Sequence, residues 1–193
     1  RKAPRDTPIN QIEINYDQPW PTRHLRTIEL AYSKTPYFNE CFPRLRAVLE
    51  TRRVYLQDLT NAIVDLFRDL LRITTPTSRS SELGIQAGEK NEKVWRICRA
   101  LGADELYDGQ AARAFLDVDA LERRGIRVTF QAYEHPEYPQ RFGPFIPFLS
   151  TLDLLMNCGP EARAIILSGT TANRREVLDR PELVPAEKGI SAA

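Results

Sequence analysis

Apolar side chains recur every three or four residues through most of the first half of the chain, the spacing that brings them onto one helical face. The pattern predicts helices over residues 22–32, 37–49 and 54–71. The third helix has the clearest buried face, formed by Leu56, Leu59, Ile63, Leu66, Phe67 and Leu70. Residues 9–16 instead alternate apolar and polar side chains, which predicts a strand with one solvated face.

The second half alternates short extended segments with helical ones. In chain order the pattern predicts an extended segment over 80–85, a helix over 89–101, an extended segment over 104–109, a helix over 111–124 and a strand over 126–133. This order is typical of βαβ units, whose strands pair in parallel. We therefore predict an α/β fold, a mostly parallel sheet with flanking helices and with a helical segment inserted in the first half. A single domain is expected over residues 1–193, with a flexible tail over 173–193.

Composition and charge narrow the classes of partner. The 193 residues are 42% hydrophobic and 27% charged, which is ordinary for a globular protein with a core. A net charge of +1 predicts no nucleic-acid partner, and no apolar run approaches the roughly 20 residues of a membrane span. Three widely spaced cysteines argue against a disulfide framework or a zinc site and fit the cytoplasm. The residues specify neither a cofactor nor an oligomeric state, and no cluster has metal-ligand spacing.

One of the two histidines directly follows the predicted strand over residues 126–133. Ligands of open α/β sheets bind at the carboxyl ends of strands, so a binding site is expected at His135, Tyr138 and Gln140. His135 could act as a general base or acid, or it could end the strand with its ring bonded to a loop carbonyl. The other histidine, His24, lies near a helix start, where it either packs or gives a ligand a neutral hydrogen bond.

Asp153 interrupts an apolar helix predicted over residues 150–157. Burying a carboxylate without a partner is costly, so Asp153 is either paired or placed for use. It could orient His135, as an acid orients a catalytic imidazole, or it could cap a neighbouring loop. Cys158 stands at the carboxyl end of the same helix, where the helix dipole disfavours a thiolate, so we do not expect it to be a nucleophile.

Further polar residues stand at predicted turns and have both a functional and a structural interpretation. The hydroxyls of Ser80 and Ser81 could hold a phosphate or carboxylate, or they could cap a loop. Tyr107, Asp108 and Gly109 end a predicted extended segment. Asp108 could bind a sugar hydroxyl there, or it could begin a tight turn. All five are candidate substrate-binding residues.

Several short motifs resemble the WbqC-like protein family. They are WPTRHL (residues 20–25), SSEL (80–83), LGA (101–103), YDG (107–109), HPEYPQ (135–140) and LSTLDLLMNCG (149–159). The resemblance covers roughly residues 9–164, and its most specific part is 135–159. The family's amino-terminal segment, with Gln-Pro-x-(Tyr/Phe)-Leu-Pro, is expected to precede this chain. Asp108 stands where the family usually has a serine.

The resemblance implies a bacterial cytoplasmic protein, often encoded beside genes for surface polysaccharide such as O-antigen. Our first hypothesis is a transferase that moves an acyl or aminoacyl group onto an amino-sugar precursor, small or carrier-bound. His135 would be the base, and Asp153 would orient it. A nucleotidyltransferase is a second hypothesis, because a histidine at a strand end suits it. A binding or scaffold protein without catalysis is the third, and there both residues would be structural.

Overall fold

The protein is described from a computed structural model, which covers residue 4 and residues 7–85 and 88–169. The chain divides into two compact units. The first contains residues 1–75 and 135–167, and the second contains residues 76–134 and 168–193. The tail predicted over 173–193 lies outside the described residues.

Seven α-helices and two strands are present in the described part of the chain. They are α1 (Trp20–Tyr32), α2 (Phe38–Glu50), α3 (Leu56–Leu70), α4 (Lys90–Ala100), β1 (Glu105–Asp108), α5 (Val118–Arg123), β2 (Arg127–Phe130), α6 (Thr151–Cys158) and α7 (Ala162–Ser168). Helices α1 to α4 and α6 confirm the helices predicted from the apolar spacing, to within one or two residues at most ends. Short 3₁₀ helices occupy Ile9–Gln11, Gln110–Ala114 and Gly159–Glu161.

The core of the first unit is built around α6, which packs on α2 and α3. Leu155 and Met156 on α6 are 1% and 0% exposed. The other buried members are Leu25, Cys41, Phe42, Leu45, Leu49, Leu59, Leu66, Leu71, Tyr138, Leu154, Cys158 and Ala162. Interior packing is dense, so α6 and the side chains it carries have little freedom to shift.

Helix α6 ends where the chain runs closely past an aromatic ring. Gly159 has φ +48°, which favours glycine, and a Cβ there would overlap the ring of Tyr37. The backbone N–H of Tyr37 also donates to the carbonyl of Met156 at 3.1 Å. The helix therefore ends at Gly159 because of both the backbone conformation and the close packing there.

The prediction of a strand over residues 9–16 is wrong. Residues 9–11 form a 3₁₀ turn, and only one antiparallel bridge follows, between Glu13 and Tyr55. Two backbone bonds flank it, from Ile14 N–H to the Val54 carbonyl and from Leu56 N–H to the Ile12 carbonyl, both 2.8 Å. Side chains 12–16 do alternate between half-buried and exposed. The alternation was real, but the partner segment leads straight into α3 and leaves no room for a ladder.

The second unit contains the pair of parallel strands that the βαβ order of segments predicted, but the sheet is small. β1 pairs with β2 in parallel, from Glu105 opposite Arg127 to Asp108 opposite Phe130. Among the described residues it has only these two strands, so the expectation of a mostly parallel sheet was an overstatement. Residues 80–84 form a turn instead of an extended segment.

The helix predicted over residues 111–124 is in fact broken. A 3₁₀ turn covers Gln110–Ala114, and α5 begins only after Asp117, whose side chain accepts a hydrogen bond from the Ala120 N–H at 3.0 Å. An aspartate that can cap a helix favours a new start over continuation. Buried residues of this unit are Cys98, Ala112, Leu116, Leu121 and Ile126.

Candidate functional site

The site of greatest chemical interest lies in the first unit, where a loop over residues 135–149 leads into α6. Ser150 begins the helix, because its Oγ accepts a hydrogen bond from the Leu152 N–H at 3.2 Å. This cap places Asp153 in the first turn, where the helix dipole favours a negative charge. The sequence thereby sets a carboxylate at a fixed position under the loop.

Asp153 is 5% exposed and is bound by neutral donors. Its Oδ2 accepts a hydrogen bond from the Tyr138 hydroxyl at 2.9 Å and another from Gln140 Nε2 at 3.2 Å. Tyr32 also interacts with this carboxylate through its hydroxyl. Among the described residues, no lysine, arginine or histidine forms an ion pair with Asp153. The carboxylate is therefore partnered, but its charge is not balanced within the part of the chain that the structure describes.

The surroundings of Asp153 change the acidity of two tyrosines. Burial raises the pKa of Tyr32 to about 12, and the negative charge of Asp153 and its hydrogen bond add to the shift. Burial likewise raises the pKa of Tyr138 to about 12, again with a contribution from Asp153. Both phenols are therefore held in the protonated state, in which each can donate to the carboxylate.

Gln140 joins the carboxylate to the loop above it. Its Nε2 also donates to the Ile146 carbonyl at 2.9 Å, and its Oε1 accepts from the Ile146 N–H at 2.8 Å. One side-chain amide thus closes the loop between residues 140 and 146. On the other side, Asn157 Nδ2 donates to the Asp153 carbonyl at 2.8 Å, one turn further along α6.

A cavity of about 190 Å³ opens beside Asp153. The cavity is lined by Ala31, Tyr32, Thr35, Gln140, Arg141, Phe142, Ile146, Leu149, Asp153 and Asn157. Its walls are largely apolar, and Phe142, Ile146 and Leu149 are 63%, 53% and 42% exposed. A concave apolar surface with a few convergent polar groups is the usual form of a small-molecule site.

His135 stands next to this network and is not among the residues that line the cavity. Its Nδ1 lies 3.0 Å from the Pro136 carbonyl, which is the loop contact that the structural interpretation expected. Its ring centroid lies 6.2 Å from that of Tyr138 and 5.0 Å from that of Phe148. Phe148 is 79% exposed and has φ +61°, an uncommon conformation for a bulky residue. Tyr138 contacts both the His135 ring and Asp153, and the catalytic role of His135 stays a prediction.

The structure brings together Asp153, Tyr138 and Gln140 of the predicted site residues. His24 lies apart from the cavity lining, on the exposed side of α1. Its Nδ1 is 2.8 Å from the Trp20 carbonyl. Its ring meets the Trp20 ring edge-on at 5.5 Å. These local contacts within one helix match the packing interpretation of His24.

The remaining predicted residues belong to the second unit. Ser80 and Ser81 are exposed in the turn over residues 80–84. Tyr107 and Asp108 end β1, and Asp108 Oδ1 accepts a hydrogen bond from the Gly109 N–H at 2.7 Å. That bond is the turn contact that one interpretation of Asp108 expected, and substrate binding by all five residues stays a prediction.

The sequence analysis did not name most of the lining residues, among them Tyr32, Thr35 and Asn157. Tyr32 is the last residue of α1, and Thr35 is buried just after it, with its hydroxyl donating to the Tyr32 carbonyl at 2.8 Å. Asn157 lies four residues after Asp153, the helical spacing that places two side chains on one face. That spacing could have identified Asn157 from the sequence. No sequence pattern could have identified Tyr32 or Thr35, because the end of α1 comes close to Asp153 only through tertiary packing.

Cys158 is buried, as are Cys41 and Cys98, and all three are free thiols. Burial raises the pKa of each thiol. The nearby carboxylates of Glu161 and Asp153 raise that of Cys158 further. A higher pKa means less thiolate at neutral pH, which agrees with the expectation that Cys158 is not a nucleophile.

No group of three metal-ligating side chains comes together within the described ranges. None of the helices in these ranges has both the length and the apolar character needed to cross a bilayer. The candidate site consists of the hydrogen-bond network of Asp153 and the adjoining cavity with its apolar side chains.

Comparison with known proteins gives the chain a family. The profile of the WbqC-like protein family matches residues 1–165. An uncharacterized protein of Mycobacterium tuberculosis, Rv1507c, is 32% identical over 145 residues, which cover 74% of this chain and 62% of the relative. The chain thus spans about three fifths of the length of that relative. No solved structure matches the chain. On the family match and this relative, the chain belongs to the WbqC-like protein family.

Proposed function

We propose that this WbqC-like chain forms part of a transferase that moves an acyl or aminoacyl group onto an amine of a surface-polysaccharide precursor such as an O-antigen sugar. The single observation that carries the proposal is the buried Asp153 carboxylate beside an open cavity, with neutral donors and no cationic partner among the described residues. A negative charge placed in this way suits a ligand that carries a positive charge. Amino sugars and aminoacyl groups both supply one.

In the proposed reaction, the acceptor nitrogen attacks the carbonyl carbon of a thioester donor. A C–N bond forms, the C–S bond breaks, and the sulfur leaves as a thiol or thiolate. The proton lost by the amine passes to the predicted base, His135, whose ring packs beside Tyr138 at the edge of the Asp153 network. General base catalysis contributes about 10²–10⁴-fold to such a step. We place the reaction in the cytoplasm, because three free thiols suit a reducing compartment.

The test is a transfer assay with the intact protein. Acyl and aminoacyl thioesters are combined with nucleotide-linked and free amino sugars, and amide products are detected by mass spectrometry. We expect product from the native protein, and about 100-fold or more slower transfer from His135→Gln. The matched control is Asp58→Asn, an exposed carboxylate in the first turn of α3, which should transfer normally.

Two other results would replace the proposal. Pyrophosphate release from a nucleoside triphosphate, without any amide product, would favour nucleotidyl transfer. The scaffold interpretation has its own support, because Gln140 and Asp153 also hold the loop over residues 140–146 in place. It predicts no product from any donor, together with an early-melting His135→Gln protein.

A further inference from the structure

The cavity beside Asp153 presents three different chemical surfaces within one small volume. Its lining includes the Asp153 carboxylate, the apolar side chains of Phe142, Ile146 and Leu149, and Arg141, which carries a guanidinium. From this combination we infer that the cavity binds an α-amino acid derivative with an apolar side chain, which is the aminoacyl donor of the proposed transfer. The inference rests on the proposed function and adds the class of donor.

The negative charge of Asp153 in the cavity lining favours a ligand with hydrogen-bond donors. A carboxylate has about four acceptor positions, and Tyr138, Gln140 and Tyr32 occupy at most three of them. Asn157 also lines the cavity, and its Nδ2 donates to the helix backbone, so its side-chain oxygen is a further potential acceptor. An ammonium group has three N–H donors and no acceptor, which matches these acceptor atoms.

Asp153 also affects the reactivity of a bound amine. A buried carboxylate favours the protonated form of a bound amine. A protonated amine has no lone pair and cannot attack a carbonyl carbon. Asp153 is therefore better suited to hold an amine that does not react than to hold the acceptor nitrogen. In an aminoacyl donor the α-ammonium is such a group, since the bond that breaks is at its carbonyl carbon.

The cavity also offers contacts to the side chain and to the carbonyl group of such a ligand. Phe142, Ile146 and Leu149 expose large apolar surfaces at the cavity, and an apolar side chain would cover part of them. Arg141 donates one hydrogen bond, from Nη1 to the Lys34 carbonyl at 3.0 Å. A guanidinium has five donors, so others remain for the carbonyl oxygen of the ligand. Ammonium, side chain and carbonyl thus each meet a complementary surface.

Binding of small analogues to the intact protein tests the inference without requiring turnover. The probes are leucinamide, N-acetyl-leucinamide, 4-methylpentanamide, glycinamide and glucosamine, measured by calorimetry and ligand-observed NMR at millimolar concentration. We expect leucinamide to bind best. Acetylating or removing the amine should weaken binding about tenfold or more, because a buried charge then lacks its partner. Glycinamide, which lacks the side chain, should also bind about tenfold more weakly.

Variants assign these effects to residues. Asp153→Asn should remove the preference for leucinamide over its N-acetyl form, whereas Asp58→Asn should keep it. Ile146→Ser changes a half-exposed rim residue, so the fold is retained, and it should narrow the difference between leucinamide and glycinamide. If Asp153→Asn does not fold, binding of the acetylated and unacetylated probes to the native protein still tests whether the ligand needs a positive charge. Ile146→Ser still tests whether the apolar side chain of the ligand contributes to binding.

Equal binding of leucinamide and its N-acetyl form, stronger binding of glucosamine than of leucinamide, or no binding of any probe would each overturn the inference. Transfer activity without amine-dependent binding would overturn it and leave the proposed function standing. Amine-dependent binding of leucinamide without transfer to any amino sugar would support the ligand class and refute the proposed reaction.

Discussion

The hydrogen bond between Tyr138 and Asp153 can be tested by deleting a single atom. The two residues are 7% and 5% exposed, and the hydroxyl lies 2.9 Å from Oδ2. Tyr138→Phe removes only the hydroxyl and leaves the ring against Phe145, at a centroid distance of 5.2 Å. The variant therefore removes the hydroxyl's interactions with Asp153 and Gln140 and keeps the packing of the ring.

The magnitude follows from the kind of bond. A hydrogen bond to a charged group contributes about 1.5–3 kcal/mol, and Asp153 keeps its bond from Gln140 in the variant. We expect Tyr138→Phe to lose about 1.5–3 kcal/mol of the free energy of unfolding. For a chain of this size, that loss lowers the melting temperature by about 3–12 °C.

Urea unfolding followed by circular dichroism measures this loss. Tyr55→Phe is the matched control, because it deletes the same atom from a 40% exposed tyrosine of the same unit. It should change stability by less than about 0.5 kcal/mol. A loss below about 0.5 kcal/mol for Tyr138→Phe as well would refute the reasoning, since the buried bond would then contribute nothing.

Tyr138 also has a signature at high pH, because burial, with a smaller contribution from Asp153, raises its pKa. The pKa of Tyr138 is about 12 in the folded protein and 10.0 in its ordinary state. Between these values the unfolded chain loses the phenolic proton and the folded protein keeps it, so stability falls as pH rises. The contribution is fully present below pH 10 and is lost as pH approaches 12. Tyr138→Phe should show a shallower fall in stability over this range than the native protein.

Two further predictions concern packing and thiol chemistry. Gly159→Ala should cost about 2–5 kcal/mol in urea unfolding, from an unfavourable backbone conformation together with overlap of the Tyr37 ring. Gly143→Ala, with φ +62° and open space around its Cβ, should cost only the backbone part, and equal costs for the two would contradict the packing at Gly159. Cys41, Cys98 and Cys158 should label with a thiol reagent only after denaturation, because they are buried and their pKa values are raised. Rapid labelling of Cys158 in the native protein would contradict this expectation and make Cys158 a candidate nucleophile.

Local patterns in the sequence were sufficient for the helices and for part of the site. Apolar spacing predicted α1 to α4, and the apolar run over residues 150–157 predicted α6 and singled out Asp153. The parallel pair of β1 and β2 followed from the order of elements, but the number of strands did not. Strand pairing depends on a partner elsewhere in the chain, as the single bridge at Glu13 illustrates. The same limit hid Tyr32, which reaches Asp153 only through tertiary packing.

The loop over the cavity is held by a side chain that imitates a neighbouring strand. A glutamine amide carries one acceptor and donors in the same arrangement as a peptide group, and Gln140 pairs with both backbone groups of Ile146 as a peptide would. The Ile146 N–H is therefore a single-atom reporter of whether the loop is closed. Its rate of hydrogen exchange follows the opening of this one pairing, and ligands that fill the cavity beneath should slow it without any change in secondary structure.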